Sequence, residues 1–310
     1  MKSTSPLALL RASLMLGLVL IGGTSPVRAE ATKLRWKFKP GEVLRYTMVQ
    51  TQSMTTKVKR PTPQEFKQGF TLTLDQTWKV KSVDDSGVAT LTQTIDRIRT
   101  TAELPQGKVA FDSKEKKDIG SLAGPLFKML VGAEFTFKMD GRGAISDIQL
   151  PEPMLATLRS KDEPAGAQGQ FSEAGLKNMI SQIGLFLPEG PVEPGATWDR
   201  KLTIPAGPEG QTRGIEQNYA YRGPEVGKPG KTAGIELKIK FDPMKPDPEV
   251  PVTIKSQESS GRFEFDNEAG RIATSRITEK VELAGSIEGQ EISQAGETTT
   301  ALTLSGSEPK

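Results

Sequence analysis

The chain has 310 residues, 41 Lys and Arg against 38 Asp and Glu, and neither cysteine nor histidine. Without cysteine there are no disulfides, thiol nucleophiles, thiolate metal sites or lipoprotein anchor. Without histidine the commonest general base near neutral pH, and the commonest imidazole metal ligand, are gone.

The first 29 residues read as a secretory signal peptide. Lys2 and Arg11 bracket a polar start, Leu14 to Ile21 forms a short apolar core, and Val27-Arg28-Ala29 places small residues at the −3 and −1 positions of a cleavage site. The apolar core is shorter than the roughly 20 residues a membrane span needs. No later apolar run reaches that length, so no transmembrane segment is expected once the signal is removed. Lys2, Arg11 and Arg28 are the charges of this segment, so the rest balances at 38 of each sign. A neutral balance gives no reason to expect nucleic acid or an anionic membrane as partner. The expected address is therefore export, to a periplasmic or extracellular space. The 281 residues that remain can bury a sizeable core without covalent staples.

Taken in order, Leu34 to Phe38 alternates, and Pro40-Gly41 makes a turn. Val43 to Met54 and Phe70 to Val80 read as strands; in the second, Phe70, Leu72 and Leu74 share one face. Pro61 and Pro63 mark the loop between them. After the turn Asp84-Asp85-Ser86-Gly87, Val88 to Ile98 is the returning strand, and Lys108 to Asp112 a short further one. Leu122, Leu126, Phe127 and Leu130 have helical spacing, broken or kinked by Pro125. Phe135 to Ile148 is a hairpin, and Pro151 to Arg159 holds one helical turn or two. Residues 160–170 carry no large apolar side chain and read as a connector. Ser172 is the expected N-cap of the best helix, about 172–187. Leu176, Met179, Ile180, Ile183 and Leu187 form its apolar face, and Pro188 stops it.

Beyond the helix the landmarks recur. Pro194-Gly195 echoes Pro40-Gly41, Glu216-Gln-Asn-Tyr219 echoes Asp75-Gln-Thr-Trp78, and the Phe263–Ile277 hairpin echoes Phe135–Ile148. Both hairpins carry Gly-Arg, at Gly141-Arg142 and Gly270-Arg271. Ile235, Leu237, Ile239 and Phe241 alternate between them. Pro243, Pro246, Pro248 and Pro251 form a long loop, Val281, Leu283, Ile287 and Ile292 belong to further strands, and Thr298 to Leu304 closes the chain. Three landmarks in the same order predict a tandem duplication. The expected fold is mainly β: antiparallel sheets from two related halves, residues 30–159 and 171–310, with one helix between them. One continuous twisted sheet or a sandwich is expected, the helix packed on its concave side.

Chemistry is sparse. Asp84-Asp85-Ser86-Gly87, Asp140-Gly141-Arg142-Gly143 and Asp266 to Gly270 lack the spaced acidic series of a calcium loop and carry the residues a turn requires. No two carboxylates are singled out for glycoside hydrolysis. Ser160-Lys161 and Ser181-Gln182 do not make a Ser-Lys catalytic pattern. No phosphate-binding or dinucleotide loop is present. No catalytic, cofactor or metal residue can be assigned, no cofactor is expected, and the ligand-binding residues are unknown. Trp36, Trp78, Trp198, Tyr219 and Tyr221 are the aromatic set. Trp78 and Tyr219 hold equivalent repeat positions, which favours a structural role.

Trp36-Lys-Phe38, Gly41 and Tyr46, followed later by Pro194-Gly195-Ala-Thr-Trp198, resemble the opening and the Pro-Gly-x-x-Trp segment of a family of secreted bacterial proteins known only as a domain of unknown function. The resemblance spans nearly all of the chain after the signal. It implies an exported β protein and supplies no catalytic residues. The expected function is non-catalytic binding in the cell envelope, of a lipid or other apolar component. The alternative is an assembly module that binds an envelope protein through its sheet edges, and a carboxylate hydrolase is the remote third.

Overall fold

The computed structural model describes residues 31–59, 63–104, 107–115, 124–159, 172–205, 212–225, 227, 232–243, 252–287 and 290–308. The expected signal peptide, the expected connector over 160–170 and the loop prolines Pro61, Pro246, Pro248 and Pro251 lie outside them. Residues 31–310 form one compact unit.

Among the described residues twelve strands make one antiparallel sheet. They are β1 (Val43–Val58), β2 (Gln64–Val83), β3 (Ala89–Leu104), β4 (Gly107–Asp112), β5 (Glu134–Met139), β6 (Ile145–Gln149), β7 (Thr197–Pro205), β8 (Thr212–Pro224), β9 (Thr232–Phe241), β10 (Val252–Asp266), β11 (Arg271–Ile287) and β12 (Gln290–Glu308). Among the described residues three helices interrupt them: α1 (Gly124–Leu130), α2 (Glu152–Leu158) and α3 (Glu173–Ser181). The order across the sheet is β6-β5-β3-β2-β1-β12-β11-β10-β9-β8-β7, with β4 beside β3. Each half is a meander, and the first and last strands pair at the centre, Val43 opposite Glu308 through Val58 opposite Ile292. The two halves therefore share one sheet and one core.

Two of the repeat landmarks coincide bond for bond. The Gly41 N–H donates to the Val80 carbonyl and the Val80 N–H to the Glu42 carbonyl. In the second half Gly195 donates to Tyr221, and Tyr221 to Ala196. Gly41 and Gly195 both have positive φ, 82° and 92°, which glycine adopts without steric cost. The Gly-Arg landmark does not coincide. Gly270 sits at φ 70°, and its counterpart in the first turn is Gly143 at φ 86°, not Gly141. The cause is length: the second turn holds one more residue between its aspartate and its left-handed glycine. Arg142 and Arg271 consequently do different work.

The sheet is rolled. Trp78 on β2 and Phe265 on β10 lie four strand spacings apart, about 19 Å along a flat sheet. Yet Trp36 stacks on Trp78 with ring centroids 6.5 Å apart and meets Phe265 edge-on at 5.5 Å. The edges are drawn together as well. Helix α3 touches both β6 and β7, which would be about 48 Å apart in a flat sheet, although nine residues of helix span only about 13 Å. Thr32 and Val192 add a two-way backbone bridge. Residues 31–310 form an incomplete barrel with α3 at its seam.

The extended segment Leu34–Phe38 is the axle of this roll. Successive N–H groups of an extended chain point in opposite directions. The Trp36 N–H donates to the Gly141 carbonyl at 2.9 Å, and the Lys37 N–H to the Gly270 carbonyl at 3.0 Å. Both hairpin turns are thus held by one segment, whose Leu34 and Trp36 side chains are buried beneath them.

Helix α3 begins as expected: Ser172 caps it, its hydroxyl accepting from the Gly175 N–H at 3.1 Å. It ends at Ser181 rather than near 187. Leu185 and Leu187 are buried with Phe186 less so, an extended alternation rather than a helical face. Gly184 lies so close to Met139 and the Gly143 carbonyl that a Cβ would overlap both, and the Leu187 N–H donates to the Arg142 carbonyl. This close passage against the first turn replaces the last helical turns. Met179, assigned to the apolar face by spacing, is 48% exposed, while Leu176 and Ile180 are buried.

Candidate functional site

The strand register separates two faces. On the outside lie Thr47, Thr73, Asp75, Thr77, Arg276, Thr278, Lys280 and their neighbours, a polar surface. The inner face is apolar along successive rows. One row, read across paired strands, is Tyr221, Ile235, Phe263, Ser275, Leu302, Met48, Leu74 and Ile98. The next is Trp198, Tyr219, Leu237, Gly261, Ile277, Thr300, Gln50, Leu72 and Thr100.

The two ends of the roll differ. At the end with the hairpin turns the interior is filled: Trp36, Tyr46, Trp78, Phe137, Tyr221 and Phe265 are all at most 3% exposed. Tyr46 Oη donates to the Ile272 carbonyl at 3.2 Å, and burial pushes its hydroxyl pKa well up. Farther along the sheet the inner residues Met48, Leu72, Leu74, Ile239, Ile277 and Leu302 are only half-buried, and all but Met48 lean against that core. The result is an apolar trough whose closed end is a packed aromatic core.

Polar side chains sit in the row nearer the mouth: Arg200, Gln217, Ser259, Glu279, Thr298 and Gln52, with Ile239 and Phe70 interspersed. Gln217 accepts from Tyr219 Oη at 2.9 Å, and burial raises the Tyr219 hydroxyl to about 12. Gln257 Nε2 donates to Glu279 Oε1 at 2.7 Å, while Gln257 Oε1 accepts from Arg213 Nη1 at 2.6 Å. The Arg213 guanidinium lies 4.8 Å from the Phe241 ring. Predominantly apolar lining with a few convergent polar groups is the composition of a small-molecule site.

Other features resolve into structure. Asp84, Asp140 and Asp266 each accept two backbone N–H groups on one carboxylate oxygen, two to four residues on. These are turn bonds, the role that Asp plays in such loops. Among the described residues no group of three or more Asp and Glu is placed to hold a metal ion, and no helix is long and apolar enough to cross a membrane. Trp78 and Tyr219 are both buried, in keeping with the structural role their repeat positions suggest. Two shallow hollows lie off the trough: about 390 Å³ on the outer side of β7–β9, and about 370 Å³ beside the second turn, lined by Lys37, Lys39 and Arg271 among others. Beneath the latter Arg271 Nη2 donates to Glu42 Oε1 at 2.7 Å, a buried ion pair joining the Pro40-Gly41 turn to β11. Arg142 instead donates through Nε to the Leu187 carbonyl at 3.1 Å and lies over the Phe186 ring.

None of the trough residues was assignable from sequence. Alternation marked Leu72, Leu74, Leu237 and Ile239 as facing one way, but the register of the six strands from β9 to β2 is needed to place them on one inner face.

No curated protein sequence matches the chain. Among solved structures, one titled "Lipid-protein interactions in lipovitellin" is similar at a TM-score of 0.49 and 14% identity, over 88% of this chain and 26% of that one. DynF from the dynemicin biosynthesis pathway of Micromonospora chersina is similar at a TM-score of 0.23 and 9% identity, over 91% and 90%. At such scores neither likeness bears on what this chain binds. A family of unknown function (DUF6263) matches residues 86–221. That stretch takes in Pro194-Gly195 and Trp198 but not the Trp36–Tyr46 opening, so the resemblance to an uncharacterised family holds over a shorter span than the motifs alone imply.

Proposed function

We propose that the protein is an exported, non-catalytic carrier or binder of a long-chain apolar molecule, held by its acyl chain in the trough of the rolled sheet. The observation that carries this reading is the change in burial along the inner face. The same strands that are sealed at Tyr46, Trp78 and Ile272 run on to half-buried Met48, Leu72 and Ile277. Leaving such an apolar stripe in water forgoes about 25 cal/mol per Å², and a monomer rarely shows a contiguous apolar patch without a use for it. An acyl chain suits the place because the trough runs along the strands, about 3.3 Å per residue. Export rests on the amino-terminal pattern ending at Ala29.

Assembly through free sheet edges is less favoured, since α3 touches both β6 and β7. A hydrolase reading lacks converging groups: Glu279, the inward carboxylate of the β7–β12 wing away from its turns and bulges, is engaged by Gln257. The test is solvent extraction of protein purified from its native envelope without detergent, followed by mass spectrometry. A co-purifying acyl lipid at near-stoichiometric amount is expected, on a chain beginning at Glu30. Protein that is repeatedly empty, and that takes up no added fatty acid, sinks the reading.

A further inference from the structure

Charge on the inner wall is unevenly matched. In the β7–β12 wing, away from its turns and bulges, the register turns three charged side chains inwards: Arg200, Arg213 and Glu279. Arg213 and Glu279 are joined through the Gln257 carboxamide, which accepts from one and donates to the other. Arg200 has no such arrangement. Among the described residues its guanidinium makes no ion pair and no hydrogen bond; it lies over the Phe186 ring, 5.0 Å from Cζ, and near the Tyr219 hydroxyl. The ring's other cationic contact is Arg142, at 4.5 Å. Two guanidiniums thus share one aromatic ring. The carboxylate closest in electrostatic effect, Asp140, already spends its Oδ1 on the N–H groups of Arg142 and Ala144.

Arg200 is half-buried, and desolvation works against its charge. Directly opposite on β8 is Gln217, whose Oε1 is taken by Tyr219, leaving its amide N–H groups as donors. An inward row that begins with a guanidinium and a carboxamide is a donor set awaiting an acceptor. It stands beside the apolar rows, where the polar end of a chain lying in the trough would come to rest.

Resting on the reading of the trough as an acyl site, we infer that Arg200 and Gln217 form the head-group subsite, and that the ligand is a long-chain amphiphile with an anionic head, a carboxylate or a phosphate. A planar guanidinium recognises either through paired N–H donors. An uncharged head leaves that charge uncompensated, so selectivity against neutral amphiphiles follows from the same geometry.

The experiment is equilibrium binding to delipidated full-length protein with four probes: oleate, oleoyl lysophosphatidate, oleyl alcohol and inorganic phosphate. Both anionic amphiphiles should bind about ten- to a hundredfold more tightly than oleyl alcohol, the span of one charge-assisted hydrogen-bonded contact. Phosphate alone should bind weakly, because it lacks the chain. Whichever of the first two binds more tightly identifies the head. Arg200→Gln should bring oleate down to the level of oleyl alcohol and leave the alcohol unchanged, while Arg200→Lys retains part of the preference. Equal binding of oleate and oleyl alcohol to the wild type overturns the subsite and leaves the trough standing. Loss of alcohol binding in Arg200→Gln, with unchanged thermal unfolding, also overturns it, since the residue would then shape the trough rather than read the head. If no amphiphile binds, the trough itself is refuted.

Discussion

Gly143 offers a calibrated test of how the roll is closed. Its φ of 86° almost equals the 84° of Gly87. A Cβ on Gly87 would meet nothing within 4 Å, whereas one on Gly143 would overlap the Leu185 carbonyl and come within 2.7 Å of Trp36 Nε1. Those two groups are bonded to each other at 2.9 Å. Gly87→Ala therefore carries only the left-handed strain of an L-residue, about 1–2 kcal/mol. Gly143→Ala carries the same strain, plus overpacking of about 1–3 kcal/mol. Loss of the buried indole hydrogen bond adds about 1–3 kcal/mol. The expected totals are about 1–2 against about 3–8 kcal/mol, summing those contributions. At this chain length each kcal/mol lowers Tm by roughly 2 °C. Urea unfolding followed by tryptophan fluorescence reads both variants, and Trp36 reports on the contact itself. A Gly143→Ala variant within about 1 kcal/mol of Gly87→Ala, inside the scatter expected of such comparisons, would refute the argument that this turn, the Trp36 segment and the 185–187 strand-like passage are packed into one closure.

Three further outcomes are expected. Glu42→Gln or Arg271→Met alone should each cost about 3–5 kcal/mol in urea unfolding, because each strands a buried partner, while Glu42→Leu with Arg271→Met should cost clearly less than the sum; additive losses would show that the pair is not buried as one unit. The hydrogen bond from Arg97 holds Asp112 down at about 2, below the ordinary aspartate value of 3.8. A depressed carboxylate stabilises the fold fully above its unfolded pKa and less as pH falls through its folded one. The Tm gap between wild type and Asp112→Asn should therefore be constant from neutral pH down to about 5 and shrink between about 4 and 2; a gap that grows on acidification has the wrong sign. On α3, Ile180→Ala should cost about 2–4 kcal/mol, but Met179→Ala no more than about 0.5 kcal/mol; equal losses would place Met179 in the core after all.

Much of the secondary structure could be read from the residues, because inward and outward positions alternate with period two and the turns carry Asp and Gly where the backbone needs them. Pro40-Gly41 and Pro194-Gly195 did mark equivalent turns, and Trp78 and Tyr219 equivalent buried positions two residues before the strand bonds that answer those turns. The Gly-Arg match misled by two residues, a shift that leaves a strand's faces unchanged and so cannot be detected from alternation. Leu187 misled differently: four residues after Ile183 it continues an apolar helix face on paper, yet two residues after Leu185 it equally belongs to an extended run. Gly184 and the nearness of the first turn decide the matter, and both are tertiary facts. The trough was illegible for a deeper reason. Pairing of β1 with β12 joins residues about 250 apart in sequence, and no local propensity encodes such a contact. Arg200 reads in sequence as one charge on an alternating strand. Its lack of a partner emerges only when the neighbouring strands are in place.

The claim on which the rest depends is that the inner face beyond the aromatic core receives an acyl chain. Photocrosslinking with a diazirine-labelled fatty acid, followed by peptide mapping, tests it most directly. Adducts should fall on Met48, Leu72, Ile239, Ile277 and Leu302, and be competed away by unlabelled oleate. Labelling spread over the outward threonines of the same strands, or none that oleate competes, would contradict it.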